Sequence, residues 1–369
     1  MTERRGYRQL FFLFLAGVAI VLGLGYSELC AKGVSRGIDL AVSKLIPSLF
    51  PFMVISDMIV NTDISTLISK AFGKPFSKIF GISKEGGAAF VFGALFGFPV
   101  GILFAKGLYE DGRIDLREFR RLALFVSMPS PAFFISAVGE GLFGSARFGV
   151  ALYLCALATN IVIGIATRGL FRECEKEYFC ALGRGENFDK NNAFTSAVIS
   201  SARSLFSISA FVVFFSMIGE VAEHLLANVI NNDVFFSLLF GTMEMTGGVS
   251  RASALGIEGA PLAAAILGFS GISVLCQLVA VTKGHRIPIG GYLLAKLFCA
   301  ASGFLCATVL IKAFGEALNI GKPYVPSFAL YGENHLTLSL FALFLCACFL
   351  ALREEKVKIF KKTIYKSGK

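Results

Sequence analysis

The stretch at residues 93–107, GALFGFPVGILFAKG, is apolar enough to enter a bilayer but carries Gly97, Pro99 and Gly101 in its middle. Glycine and proline both destabilise a helix, so the pattern predicts a re-entrant hairpin rather than one continuous spanning helix. Backbone that leaves a helix at membrane depth is tolerated only where protein or a water-filled cavity receives it. This break therefore predicts a pathway or a binding site.

A second copy of the pattern lies at residues 240–256, FGTMEMTGGVSRASALG. It aligns with the first at a constant offset, which pairs Gly93 with Gly241 and Pro99 with Gly247. The crossings predicted between the two copies would invert the second relative to the first. The chain is therefore predicted to contain two inverted repeats, each organised around one broken hairpin.

Composition indicates a membrane protein. The chain has 369 residues, of which 55% are hydrophobic and only 16% are charged, and its mean hydropathy is +0.72. The charged residues fall between continuous apolar runs of roughly 17 to 25 residues, the length that spans a bilayer as helix. A transmembrane β-barrel would alternate apolar and polar residues instead. The predicted fold is all-α and polytopic, with about eight spanning helices and two re-entrant hairpins.

The net charge of +10 could indicate nucleic-acid binding, but most of the 35 Lys and Arg residues lie in short segments beside apolar runs. Basic residues in such loops mark the cytoplasmic side of a membrane protein. We therefore expect a multi-pass protein of the cell membrane with both termini in the cytoplasm. We expect it to contact the lipid bilayer and not to bind nucleic acid.

The predicted organisation has five parts. They are an N-terminal transmembrane helix and interfacial helix (1–39), a first repeat (40–170), a cytoplasmic linker (171–200), a second, inverted repeat (201–315), and an outer loop, last transmembrane helix and basic cytoplasmic tail (316–369). Spans are predicted at 10–26, 48–61, 123–142, 148–165, 205–226, 261–282, 290–314 and 335–352. The interfacial helix would present Val34, Ile38, Val42 and Leu45 as its apolar face, and Pro47 would open the next span.

Each repeat also contains an interrupted span after its hairpin. In the first, SMPSPAF places Pro129 and Pro131 inside an apolar run, where each removes an amide donor. In the second, residues 261–282 contain GFSG. Before the first interrupted span, Asp115 with Glu118 three residues later predicts a capped, solvated connecting helix on the cytoplasmic face.

Broken helices at membrane depth present backbone amides and carbonyls that can bind polar solutes. We therefore expect substrate-binding groups at the breaks of both repeats. The candidates are Gly97, Pro99, Gly101, Ser127, Pro129, Ser130, Pro131, Glu244, Thr246, Gly247, Ser270, Ser273 and Gln277.

Glu244 is the sharpest candidate, because a carboxylate in an apolar hairpin costs about 3 kcal/mol or more unless it faces a partner or water. It could bind a solute hydroxyl or amine, or carry a coupled proton. The alternative is a surface carboxylate in an aqueous vestibule, paired with Arg251. Asn160 lies within another span, and we expect its side chain to form a hydrogen bond between helices.

No metal, cofactor or catalytic site is predicted. The nine Cys form no C-x-x-C pair, and the three His are isolated at the ends of spans. GISKEGG lacks the GK[ST] ending of a phosphate loop, and no Ser/His/Asp arrangement stands out. The chain is not expected to be an enzyme.

Four segments resemble a family of sporulation integral membrane proteins: PSLFPFMVISDMIVN, GFPVGILFAKGLYEDG, SMPSPAFFISAVGEGLFG and LFGTMEMTGGVS. That family belongs with the nucleoside-recognition, or Gate, domain proteins, which include nucleoside transporters, spore maturation proteins and the membrane part of the ferrous-iron transport GTPase. The resemblance covers roughly residues 40–315. It departs at Ser127 and Met128, since the family pattern has Asn before the first proline. It implies a role in spore formation and cortex assembly in an endospore-forming bacterium.

Two functions from different classes follow from the resemblance and the breaks together. The first is a transporter-like protein that moves or senses a small polar solute during sporulation. The second is a non-transporting membrane scaffold that recruits partners in the sporulating cell. A transporter would need Glu244 and the groups near Ser130, whereas a scaffold would depend on surfaces such as the linker. A homo-oligomer or further sporulation membrane partners fit either function.

Overall fold

The computed structural model describes residues 23–60, 73–169, 193–282, 287–318 and 320, and the regular secondary structure of these residues is entirely helical. Four of their helices are long and apolar enough to cross a membrane, or five if one bent pair forms a single span. These findings confirm an all-α, polytopic membrane protein. The spans predicted at 10–26 and 335–352, most of the linker and the basic tail lie outside the described residues.

The helices follow one another in the order α1 Ser27–Leu40, α2 Ile46–Val60, α3 Gly73–Phe80, α4 Lys84–Phe96, α5 Val100–Glu110, α6 Leu116–Phe125, α7 Phe133–Phe143, α8 Ala146–Ala166, α9 Ala193–Ala227, α10 Asp233–Met243, α11 Met245–Ala254, α12 Ala260–Phe269, α13 Gly271–Val281 and α14 Ile289–Leu318. A π-helical turn, Ala41–Leu45, joins α1 to α2, and α7 begins as a π-helix over Phe133–Glu140.

The order of elements repeats as predicted. Each half has a hairpin (α4–α5 and α10–α11), a broken helix (α6–α7 and α12–α13) and a long helix (α8 and α14). Small residues let the two arms of each hairpin touch: a Cβ on Gly101 would lie 2.5 Å from the Gly93 Cα, and one on Gly248 would lie 2.2 Å from the Gly241 Cα. Gly101 thus corresponds to Gly248, one position away from the constant offset, because the second break is shorter. The inversion of the second repeat stays a prediction.

The second half of each broken helix contacts both repeats. Phe134 and Val138 of α7 pack in one core cluster with Phe148 of their own repeat and with Val249 of α11 and Ala263 of α12. Conversely, Leu278 of α13 packs in a cluster built mainly from α4, α5 and α6. These contacts place the breaks between the two repeats.

The prediction for residues 32–60 is partly wrong. The chain does not end one helix and open another at Pro47, because α1, the π-helical turn and α2 follow without a gap. Val34 and Ile38 are only half-buried, whereas Gly33, Gly37 and Leu40 are buried. The buried edge is set by packing on α9 and not by the apolar stripe.

A close helix crossing and two ion pairs to a buried carboxylate join α1 to α9. The two glycines form a G-x-x-x-G pair that lets helix backbones touch, and a Cβ on Gly37 would lie 2.6 Å from the Val213 Cα. Beside it, the buried Glu220 carboxylate accepts from Lys32 at 2.6 Å and from Arg36 at 2.7 Å. These contacts fix α1–α2 along α9.

The predicted connecting helix is α6, which is the first half of the first broken helix; it is capped as predicted but is not solvated. Asp115 accepts a hydrogen bond of 2.7 Å from the Glu118 amide. However, Phe119 and Arg121 are buried. The Arg121 guanidinium donates to the Gly164 carbonyl at 2.8 Å and to the Phe80 carbonyl, so it ties α6 to α8 and α3.

The α1–α9 crossing gives a first prediction. Gly37→Leu should lower the unfolding free energy by about 1–3 kcal/mol, because the side chain must displace α9 backbone. The measurement is unfolding of the purified protein in detergent, followed by circular dichroism. Gly107→Leu is the control, because a Cβ there meets nothing within 4 Å. Equal stability of the two variants would contradict the crossing.

Candidate functional site

In the first repeat, the hairpin break packs directly on the break of the interrupted helix. Residues 127–130 lie outside regular helix, and the Phe98 amide donates to the Met128 carbonyl at 2.7 Å. Gly97 has a positive φ of 74°, and a Cβ on it would lie 2.5 Å from the Ser130 amide nitrogen. Only glycine satisfies both the conformation and the contact at this position.

The second repeat has the same arrangement with different residues. The hairpin breaks at Glu244, and the α12–α13 helix breaks at Ser270, a non-glycine residue with φ 69°. A Cβ on Gly271 would lie 3.2 Å from the Met243 carbonyl oxygen and 3.3 Å from the Met245 amide nitrogen. The Glu244 break is therefore seated against the Ser270–Gly271 break.

The Glu244 carboxylate caps helix α11 and is 5% exposed. One oxygen accepts from the Thr246 amide at 2.9 Å, and the other accepts from the Gly247 amide at 2.7 Å. Each oxygen keeps a further lone pair for a ligand. The expected alternative, a pair with Arg251 in a surface vestibule, is wrong, because Arg251 forms a bidentate pair with Glu223 instead.

A buried lysine joins the breaks of the two repeats. Lys296, on α14, is 3% exposed. Its ammonium donates to the Ser127 carbonyl in the first repeat and to the Ser270 hydroxyl, at 3.2 Å, in the second. One side chain thus ties both interrupted helices together at their breaks.

A central cleft lies where these breaks meet. Its polar lining comes from both repeats and consists of Ser130, Glu244, Thr246, Ser270 and Gln277. Its apolar lining includes Phe98, Met128, Pro129 and, from the helices that cover it, Leu45, Leu49, Ile208 and Val212. Six of the predicted site residues therefore share one cleft: the five polar residues and Pro129.

The other predicted residues support the cleft without lining it. Ser273 accepts from the Gln277 amide nitrogen at 3.0 Å and so orients that side chain. Gly247 donates to Glu244, and the Ser127 carbonyl accepts from Lys296. Gly97 and Gly101 permit close backbone approach. The remaining two prolines flank the breaks: Pro99 precedes α5, and Pro131 follows the unwound residues 127–130.

A second, smaller cavity adjoins the cleft, since Met128 and Pro129 line both spaces. Lys296, Asn160 and Thr159 contribute its polar groups. The predicted helix-to-helix bond of Asn160 is wrong: its amide nitrogen donates within its own helix, to the Ala156 carbonyl at 2.8 Å. Within the described residues, its buried side-chain oxygen has no hydrogen-bond partner.

Sequence reasoning missed Lys296 and Glu220. Lys296 is not among the predicted site residues, although a lysine within an apolar span carries the same cost that singled out Glu244. Glu220 is not among them either, and it is 4% exposed and paired. An ionisable residue within an apolar segment was the available signal in both cases.

The chain is similar to "Sporulation integral membrane protein YlbJ" of Bacillus subtilis (strain 168), with 25% identity over 281 residues, which cover 67% of this chain and 69% of that protein. No family model matches the chain. No solved structure matches it. The similarity and the apolar helices together support a multi-pass membrane protein. The nucleoside-recognition relationship and the cytoplasmic position of the termini stay predictions.

The packed breaks of the first repeat give a second prediction. Gly97→Ala should destabilise the protein by about 1–3 kcal/mol more than Gly112→Ala, because both positions have positive φ but only Gly97 is pressed against other backbone. The matched pair separates the cost of the conformation from the cost of the collision. Unfolding in detergent measures both variants, and equal losses would show that the two breaks do not touch.

Proposed function

We propose that this chain is a transporter-like integral membrane protein of sporulating cells, which moves or senses a small polar solute in the central cleft and is needed for spore cortex formation. The similarity to a sporulation integral membrane protein supports the cellular setting. The cleft supports the transporter-like role. The proposal involves no bond-breaking step, so the chain would not act as an enzyme.

The observation that carries this proposal is the buried Glu244 carboxylate among polar groups of both repeats. Keeping a carboxylate at membrane depth is costly, and such residues mark solute or ion pathways. Here the carboxylate, itself at a helix break, shares its cleft with Ser130 and Ser270, which lie at two further breaks, and with Gln277 of α13. Discontinuous helices that meet between two repeats are the usual substrate site of secondary transporters.

The size of the cleft bears on how a solute would enter. Its cavity volume is about 50 Å³, and one water molecule needs about 10–15 Å³. The described conformation therefore has room for a few waters, and a larger solute requires the covering helices or the breaks to move. The π-helical turn Ala41–Leu45 contributes Leu45 to the cover, and such turns are frequent at functional sites.

The scaffold function has one observation in its favour. Both Glu244 oxygens already accept amides of α11, so the residue can be explained as a helix cap alone. Yet Asn, Asp and Ser are the preferred caps and Glu is not. A purely structural cap would therefore not need this side chain.

Complementation in the sporulating host separates the two functions. In a strain that lacks this protein, Glu244→Gln and Ser130→Ala should each fail to restore heat-resistant spores with a cortex. Glutamine keeps the length of the side chain and an accepting oxygen but removes the charge. Spore counts, electron microscopy of the cortex and immunoblots of membrane fractions measure the outcome.

Two control variants remove similar features elsewhere. Asn232→Ala deletes an exposed helix cap, in which the side chain accepts from the Phe235 amide at 3.0 Å. Glu223→Gln removes the charge from a carboxylate that pairs with Arg251. Both controls should complement. Normal spores from Glu244→Gln and Ser130→Ala, at normal protein levels, would favour the scaffold function.

A further inference from the structure

Two buried ionisable side chains of opposite sign line neighbouring cavities that share Met128 and Pro129. Glu244 lines the central cleft, and Lys296 lines the smaller cavity. Within the described residues, the partners that bond to each of them are neutral: backbone amides for Glu244, and a carbonyl and a hydroxyl for Lys296. Each charge therefore lacks a counter-charge in a region where charge is expensive.

The Lys296 cavity has the groups of a binding surface. An ammonium has three N–H donors, and the Ser127 carbonyl and Ser270 hydroxyl engage two of them. Asn160 adds an acceptor, since its side-chain oxygen is buried without a partner in the described chain. A buried amide oxygen left unpaired is destabilising, so a ligand that donates to it is favoured.

We propose that Lys296 and Asn160 form the second half of the solute site, and that the solute is a small zwitterion of the amino-acid class. This inference rests on the proposed function and names its substrate class. The carboxylate of the solute binds Lys296. Its ammonium has three N–H donors and donates hydrogen bonds to both Asn160 and Glu244. Movement of Met128 and Pro129 joins the two cavities around the solute.

Solutes that carry only part of this chemistry fit less well. A simple carboxylate would neutralise Lys296 but leave Glu244 and the Asn160 oxygen unpaired. A simple amine would neutralise Glu244 but leave Lys296 without a counter-charge. An uncharged polar solute such as a nucleoside would leave both buried charges uncompensated. Only a zwitterion satisfies the three groups together.

The test is equilibrium binding to the full-length protein in lipid nanodiscs. The twenty standard amino acids are screened first, with uridine as an uncharged polar solute. The best amino acid is then compared with two analogues of itself, one without the amino group and one without the carboxylate. Each is measured on the wild type, Lys296→Met, Asn160→Ala, Glu244→Gln and the control Lys312→Met, an exposed lysine of the same helix.

Each variant has its own expected pattern. Lys296→Met should weaken binding of the amino acid and of the analogue without the amino group about tenfold or more, and should not weaken binding of the amine. Glu244→Gln should weaken binding of the analogue without the carboxylate and should not weaken binding of the analogue without the amino group. Asn160→Ala should weaken binding of the amino acid and of the amine. Lys312→Met should match the wild type.

Several results would overturn the zwitterion site. These are binding of an amino acid that Lys296→Met leaves unchanged, failure of all twenty amino acids to bind the wild type, or binding of uridine that depends on Glu244 alone. The last result would be compatible with the proposed function, which the complementation experiment tests separately. If Lys296→Met does not yield folded protein, Asn160→Ala and the charge-preserving Lys296→Arg carry the test.

Discussion

Backbone groups freed at four helix breaks are the constraint on which the rest of the structure depends. Lipid cannot satisfy an amide or a carbonyl, so each break must find its partners inside the protein. The breaks meet this need by pairing: Phe98 donates to Met128, and the Glu244 break sits against Gly271. Lys296 then joins the two pairs through Ser127 and Ser270.

This pairing explains why a site forms at the centre. Because α7 also packs on the second repeat and α13 on the first, the unwound residues lie where the repeats meet. Polar groups collected there are shielded from lipid by α1–α2 and α9, whose Leu45 and Ile208 close the cleft. The glycine crossing and the Glu220 ion pairs hold that cover in place. Stability of the cover and access to the site are therefore properties of the same interface.

Much of this was predictable from sequence. Gly97, Pro129 and Glu244 signalled the breaks and the central carboxylate, because glycine, proline and charge are costly in an apolar helix. What could not be predicted was set by long-range packing. The apolar stripe of α1 was misjudged because Gly33 and Gly37, which have no side chain, form its buried edge. Likewise, the pairing of Arg251 with Glu223 depends on helix placement, which no local pattern encodes.

The most direct test of the central claim is a double-mutant cycle between Lys296 and Ser270, measured by unfolding in mixed micelles. Lys296→Met, Ser270→Ala and the double variant together isolate the bond that crosses from α14 to the second break. The account predicts a coupling energy of about 1 kcal/mol or more. Each single variant already loses the Lys296–Ser270 hydrogen bond, so the double variant should lose less stability than the sum of the two. Additive losses would contradict it, and would show that Lys296 does not hold the second break through Ser270.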